Sequence, residues 1–146
     1  MTAVDSVAFF DRLADWMNQH PERFAPLGEA EMVVVVVMER DDAGAFRVRL
    51  VFDGLSCTGV AETDEAGAAA ADFRLEGPLE AWQQMFADIG SHGHAIGELT
   101  INSLALVGDR IACRGDDPMG LDKFSRFNQT LQEFFDGSAA LAVTTG

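Results

Sequence analysis

The sequence is poor in basic residues and has no long apolar run, and each shortage excludes a class of function. Its 10 lysines and arginines stand against 24 aspartates and glutamates, which gives a formal net charge of −14. A surface of this sign repels phosphate backbones and anionic lipid head groups. The longest apolar run covers only residues 32–38, whereas a membrane-spanning helix needs about 20 apolar residues. We therefore expect no nucleic-acid partner and no stable membrane insertion.

Cysteine is also scarce. Cys57 and Cys113 are far apart and lack the spacing of a metal site, so we expect two reduced thiols.

The N-terminus carries acids at positions 5, 11 and 15 and no basic region. This argues against a secretory or mitochondrial leader and predicts a cytoplasmic protein. A chain of 146 residues is expected to form one domain over 1–137, followed by a loosely ordered tail over 138–146.

Apolar periodicity, by contrast, is abundant and predicts both strands and helices. Runs with alternating or continuous apolar residues, bounded by turn residues, predict six strands: 32–38, 46–52, 55–61, 72–76, 99–107 and 110–114. Apolar residues spaced three and four apart predict three helices: 5–19, 78–89 and 118–136. The five valines of 33–37 suit a strand covered on both faces. Because four successive strands are joined by short connections, the sheet is predicted to be antiparallel.

Turn and capping residues set the expected boundaries of these elements. Asp5 or Ser6 is predicted to cap the first helix, and Asp117 the last. Pro78 is expected at the first helical position of the second helix, where its missing N–H has no partner to lose. A polar loop is predicted over 63–67, and a glycine-rich loop over 90–97.

Two of the predicted helices carry broad aromatic stripes. The sequence has 11 Phe and 2 Trp but no Tyr, so these faces are almost wholly apolar. Such stripes pack a protein core, or they line a cavity for an apolar ligand, and the residues alone leave both interpretations open. If they line a cavity, the candidate ligand-binding residues are Trp82, Met85, Phe86, Phe124, Phe127 and Leu131.

The sequence contains few candidates for catalysis. His92 and His94 lie in the glycine-rich loop, and with Glu98 they form no recognised metal-ligand spacing. Asp116 and Asp117 are explained by a turn and a helix cap. We therefore predict no catalytic residue, no metal site and no cofactor. A small enzyme with His92 and His94 as acid–base groups acting on an apolar substrate stays open as an alternative.

The order of elements and three sequence blocks resemble the sterol carrier protein family, in its sterol-binding domain. The blocks are FRVRLVFDG at 46–54, ADFRLEGPLEAW at 71–82 and RIACRGD at 110–116. The first resembles the family's strand with an Asp-Gly turn, the second its strand followed by the Trp-bearing helix, and the third its late strand ending in Gly-Asp. The segment at 90–109 is longer than the link that the family has there.

The resemblance implies an α+β fold, in which an antiparallel sheet of five to six strands is covered on one face by helices. It also implies an apolar tunnel that binds sterols, fatty acyl chains or other hydrophobic molecules without covalent chemistry or metal. Among the candidate residues it supports chiefly Trp82, with Met85 and Phe86 on the same face. The leading hypothesis is thus non-enzymatic binding or carriage of a small hydrophobic ligand, and a structural dimerisation domain is a further alternative.

Overall fold

The computed structural model describes residues 3–95, 97, 100–106 and 110–145. In this part of the chain, five strands form one mixed sheet in the order β3-β2-β1-β4-β5. The elements are, in chain order, α1 (Val7–Gln19), β1 (Ala30–Glu39), β2 (Phe46–Gly54), β3 (Ser56–Glu62), α2 (Glu65–Ala70), β4 (Phe73–Pro78), α3 (Leu79–His92), α4 (Ile101–Leu106), β5 (Ala112–Arg114), α5 (Pro118–Asp136) and α6 (Ser138–Thr145). The α+β class and the predominantly antiparallel sheet are confirmed.

Local capping explains where the main helices begin. The Ser6 hydroxyl accepts a hydrogen bond from the Phe9 N–H at 3.2 Å and begins α1. The Asp117 carboxylate accepts from the Met119 N–H at 3.0 Å and begins α5, as predicted. The predicted position of Pro78 is wrong by one residue. Its backbone is extended (φ −64°, ψ 146°), so it is the N-cap residue and not the first residue of the helix. The helix therefore begins one residue later, at Leu79.

The sheet departs from the predicted antiparallel order at one pair of strands. β1 pairs with β2 in antiparallel register, with Val35 opposite Arg49, but it pairs with β4 in parallel register, with Val35 opposite Arg74. A parallel pair needs a crossover connection. Helix α2 lies in that crossover, where the sequence predicted only a polar loop over 63–67. The Asp64 carboxylate begins α2 by accepting from the Gly67 N–H at 2.9 Å.

Strand β1 is buried on both faces, as its valine run predicted. Val34 and Val36 belong to the main core, together with residues of α1, α3 and α5. Val35 and Val37 belong to a smaller cluster on the other face, with Ala68 of α2 and Ala71. The long helices thus cover one face of the sheet, and α2 adds a small cover on the opposite face.

Two segments adopt helix where the sequence predicted something else. The predicted strand over 99–107 is wrong, because 101–106 forms α4; Leu99, Val107 and the turn at 108–109 lie outside the described residues. Ile101 and Leu104 are both buried, and a spacing of three places them on one face of a helix but on opposite faces of a strand. The expected tail carries α6 over Ser138–Thr145, in a segment rich in alanine, the strongest helix former.

Candidate functional site

The aromatic stripes of α3 and α5 face each other above the sheet. Phe135 of α5 lies between two residues of α3: its ring centroid is 5.8 Å from that of Trp82 and 5.8 Å from that of Phe86. Both pairs are edge-to-face, with interplanar angles of 75° and 89°, which is a favourable geometry for aromatic rings. Phe135 is therefore the point at which the two stripes meet.

A buried hydrogen bond orients Trp82. Its indole Nε1–H donates to the backbone carbonyl of Val37 at 3.2 Å, and the side chain is fully buried. Because a buried indole N–H needs a partner, this bond fixes α3 against β1 and directs the rest of the ring toward α5. The Trp82 ring thus presents only apolar atoms to the space between the helices.

Five of the six candidate residues are buried. Trp82 and Phe86 are brought together around Phe135, and Met85 is buried on the same stripe of α3. Phe124 contacts β4 instead, with its ring centroid 5.6 Å from that of Phe73. Trp82, Met85, Phe86, Phe124 and Leu131 belong to one apolar cluster that is continuous with the main core.

Phe127 is the exception among the six. It is half-buried and lies in an open groove of about 520 Å³ between α5 and one end of the β1–β2 pair. The other residues that line this groove are Glu29, Ala30, Glu31, Asp53, Gly54, Lys123 and Arg126. The Arg126 guanidinium lies 5.2 Å from the centre of the Phe127 ring. The structure therefore places Phe127 at the charged edge of the apolar cluster that contains the other five candidates.

Sequence reasoning missed Phe134, Phe135 and Phe9 as members of the site. Phe9 of α1 contacts Phe86 at 4.9 Å between ring centroids, and Phe134 contacts Phe52 of β2 at 5.0 Å. Phe134 and Phe135 belong to the same stripe as Leu131, so the spacing already carried the signal. What the spacing could not show is which part of a 19-residue helix faces α3.

A second groove, of about 440 Å³, lies between α1 and α6. Trp16, His20 and Leu141 line it, together with Arg12, Asp15, Gln19 and Ala140. The Trp16 ring stacks on His20 with 5.0 Å between centroids. A Cβ at position 137 would overlap the Trp16 ring, so the glycine at the α5–α6 junction allows the backbone to approach the indole closely.

His92 and His94 lie at the end of α3. His92 is in the last turn of the helix rather than in a loop, and its Nδ1 lies 2.9 Å from a carboxylate oxygen of Asp88. The helix ends at Gly93, whose φ of 84° favours glycine. The His94 ring Nδ1 lies 3.1 Å from the Ala95 carbonyl. No group of three His, Cys, Asp or Glu side chains in the described ranges could hold a metal ion.

Two polar residues of α5 hold the connection between α3 and α4. The Asp136 carboxylate accepts from the Ala95 N–H at 3.1 Å and from the Gln132 amide at 2.9 Å. The Gln132 side-chain oxygen in turn accepts from the Ile101 N–H at 2.6 Å. Burial raises the pKa of Asp136, and these hydrogen bonds and His94 partly oppose the rise. Both ends of the connection are thus bonded to α5.

The two cysteines are free, as predicted. Burial raises the pKa of Cys57 and of Cys113 to about 11. At neutral pH both groups are therefore protonated thiols, which are poor nucleophiles.

Within the ranges that the structure covers, no helix is both long enough and apolar enough to cross a membrane.

Comparisons with known proteins identify the fold. No family model matches the chain, and the search of curated proteins finds no match. Among solved structures, a crystal structure of sterol carrier protein 2 superposes with a TM-score of 0.68 and 17% sequence identity, over 93% of this chain and 97% of that one. A solution structure of a conserved hypothetical protein from Thermus thermophilus, described as a candidate sterol carrier protein, has a TM-score of 0.67 and 16% identity, over 94% and 88% of the two chains. The chain therefore has a sterol-carrier-like fold.

Proposed function

We propose that this protein binds and carries a small hydrophobic ligand, of lipid, sterol or fatty acyl type, between the sheet and helices α3 and α5, without catalysis. The observation that carries the proposal is the superposition on sterol carrier protein 2, which extends over nearly the whole of both chains. The name of that neighbour supports a sterol, and the resemblance to the sterol carrier protein family supports fatty acyl chains and other lipids. No cofactor or metal is needed, because binding of this kind uses burial of apolar surface alone.

The chemistry of the interior supports this proposal. The side chains around Phe135 are aromatic or aliphatic, and the indole N–H of Trp82 is already bonded to Val37. An apolar ligand therefore meets no unsatisfied indole donor. Each 100 Å² of ligand surface removed from water contributes about 2.5 kcal/mol, from which the entropy of association is subtracted. The lining proposed for this ligand is Trp82, Met85, Phe86, Phe124, Phe127 and Leu131.

Ligand entry requires the aromatic side chains to move apart, because Phe135 contacts both Trp82 and Phe86 directly. Helix α6 is short and packs against α3 and α1. Its displacement therefore disturbs the sheet less than displacement of the long helices would. We propose that the ligand enters between α3 and α6. Helix α3 itself stays on the sheet, held by the bond from Trp82 to Val37.

The proposal is tested by ligand capture and by a pair of matched substitutions. Native mass spectrometry of freshly purified protein, with extraction and identification of lipids, detects a co-purified ligand. Titration with a pyrene-labelled fatty acid and a pyrene-labelled sterol then measures affinity. Met85→Phe fills the proposed ligand space, whereas Met119→Phe makes the same change at a residue that is 77% exposed. We expect Met85→Phe to weaken binding at least fivefold and Met119→Phe to leave it unchanged.

Two results would contradict the proposal. One is the absence of both co-purified and added apolar ligand. The other is equal binding by the two variants, which would move any bound probe away from α3. Sedimentation at several concentrations tests the alternative of a dimerisation domain, since a protein that stays monomeric has no such interface. The enzyme alternative requires a turnover that is lost in the double variant His92→Ala, His94→Ala.

A further inference from the structure

Among the described residues, the hydroxyl of Ser138 is buried beside the apolar core without a hydrogen-bond partner. Ser138, the first residue of α6, is only 6% exposed. Its hydroxyl oxygen has no hydrogen-bond partner among the described residues. Buried polar groups in folded proteins are almost always hydrogen-bonded, and an unpaired hydroxyl is destabilising. Ser138 is therefore an exception to this rule.

Ser138 lies on the apolar stripe of α5 and α6. Gly137, which joins the two helices, has a helical backbone (φ −56°, ψ −21°). Residues three and four apart in a continuous helical chain share a face, which places Ser138 on the face of Phe134 and Phe135. Both of these side chains are fully buried. The unpaired hydroxyl thus lies on the same wall that meets α3.

We infer that Ser138 is the polar anchor of the hydrophobic ligand and hydrogen-bonds a neutral oxygen at the ligand's end, either a hydroxyl or a carbonyl. A serine hydroxyl both donates and accepts, so it can pair with either group. The inference rests on the proposed function, because it assigns a specificity-determining residue to that ligand space. The apolar body of the ligand then lies along Phe135 toward Trp82 and Phe86.

The ligand end is assigned as neutral on grounds of charge. An ionised carboxylate is costly to bury unless a cation pairs with it. The charged residues among the five that precede Ser138 are Glu133 and Asp136, which are both acidic. Arg23 lies 2.9 Å from Glu133 and is thereby engaged in an ion pair. This stretch of α5 therefore offers a buried carboxylate no free cation, and we expect an alcohol to be preferred over the carboxylate of equal chain length.

The test compares ligands that differ only at the anchored end. 1-Dodecanol, dodecane and dodecanoate are titrated as competitors of a pyrene-labelled hydrocarbon bound to the full chain. Ser138→Ala removes the hydroxyl, and Ser138→Cys replaces it with a weaker hydrogen-bonding group of similar size. Thr130→Val is the matched control, since it removes another buried hydroxyl, on α5. Thermal unfolding of each variant without ligand verifies that it folds.

We expect wild type to prefer dodecanol over dodecane about fivefold, which corresponds to about 1 kcal/mol. Ser138→Ala is expected to lose this preference while its affinity for dodecane is unchanged, and Ser138→Cys to show an intermediate preference. Ser138→Ala without ligand is expected to unfold at the same temperature as wild type or a higher one. Thr130→Val is expected to keep the preference.

Two outcomes separate the anchor from the proposed function. If Ser138→Ala binds dodecane and still prefers dodecanol as strongly as wild type does, the anchor is overturned and ligand carriage stands. If wild type does not bind the probe and binds none of the three competitors, both the anchor and ligand carriage are overturned. Tighter binding of dodecanoate than of dodecanol at neutral pH would also overturn the assignment of a neutral end.

Discussion

The side-chain amide of Asn18 pairs with the backbone of Cys57 through two hydrogen bonds. The Asn18 amide donates to the Cys57 carbonyl at 3.0 Å, and the Cys57 N–H donates to the Asn18 side-chain oxygen at 2.9 Å. Cys57 belongs to β3, which is an edge strand of the sheet. An unpaired strand edge is a site for aggregation. Asn18 therefore acts in place of a neighbouring strand and joins the end of α1 to the sheet.

Asn18→Ala is expected to lower the free energy of unfolding by about 1–2 kcal/mol, because it leaves two backbone groups of Cys57 without their partner. Asn128→Ala is the matched control, since the Asn128 amide makes one exposed bond, to Ser125, at 2.9 Å. Urea unfolding followed by circular dichroism measures both. A loss in the Asn18 variant no larger than that in the control would show that solvent replaces the pair without cost.

Two glycine substitutions are expected to have opposite effects. Gly137→Ala places a Cβ against the Trp16 ring, and overpacking of this kind costs about 1–3 kcal/mol. Gly90 lies inside α3, and a Cβ there meets no atom within 4 Å. Gly90→Ala is therefore expected to stabilise the protein by about 0.5–1 kcal/mol through helix propensity. Differential scanning calorimetry of both variants tests the contrast, and a stabilising Gly137→Ala would contradict the close packing on Trp16.

The bonds from α5 to the α3–α4 connection predict a local change in stability. Gln132→Ala leaves the Ile101 N–H without its acceptor and is expected to cost about 1–2 kcal/mol. Hydrogen exchange at the amides of Ala95 and Ile101 is expected to accelerate more than exchange in β1. Gln129→Ala, at an exposed position of the same helix, is the control. Equal exchange in the two variants would show that the bond does not hold the connection.

We expect the contribution of Asp136 to the free energy of unfolding to fall as the pH rises, which is the opposite of what a salt-bridged acid does. Its pKa is raised in the native state, so the native protein binds this proton more tightly than the unfolded chain does. Its contribution to stability is full below the ordinary pKa of an aspartate and is lost as the pH rises through the raised value. Asp136→Asn is expected to stabilise the protein at pH 7 and to have no effect near pH 3. Thermal unfolding at both pH values tests this, and destabilisation confined to pH 7 would show that the charge itself is required.

The thiols are expected to resist alkylation in the folded protein. With a pKa of about 11 in place of the ordinary 9.0, each cysteine holds about 100-fold less thiolate at neutral pH than a free cysteine. Cys113 is partly buried and Cys57 is buried, so iodoacetamide should label Cys113 first. Mass spectrometry after timed labelling, with and without urea, measures the rates. Labelling of native Cys57 as fast as in urea would contradict its burial.

Much of the secondary structure could be predicted because its signals are local. The alternation of Phe46, Val48, Leu50 and Phe52 predicted β2, and the structure buries all four on the main core. The stripe of Trp82, Met85, Phe86 and Ile89 predicted the buried face of α3. The segment over 101–106 was predicted wrongly, because a short apolar run cannot be assigned to strand or helix by periodicity alone.

The sequence by itself determined which faces are apolar, where α1, β2, α3 and α5 lie, and the order of elements that resembles sterol carrier proteins. Tertiary structure alone decided what those faces meet. Strand β1 pairs in parallel with β4, and Val35 and Val37 pack with Ala68 of α2. Which residue of α5 meets Trp82 depends on how the two helices cross, and in the folded chain it is Phe135. Periodicity shows which side of a helix or strand is buried, whereas the element that covers this side is set by the packing of distant parts of the chain. For the same reason, only the folded chain reveals that the hydroxyl of Ser138 lies buried without a partner among the described residues.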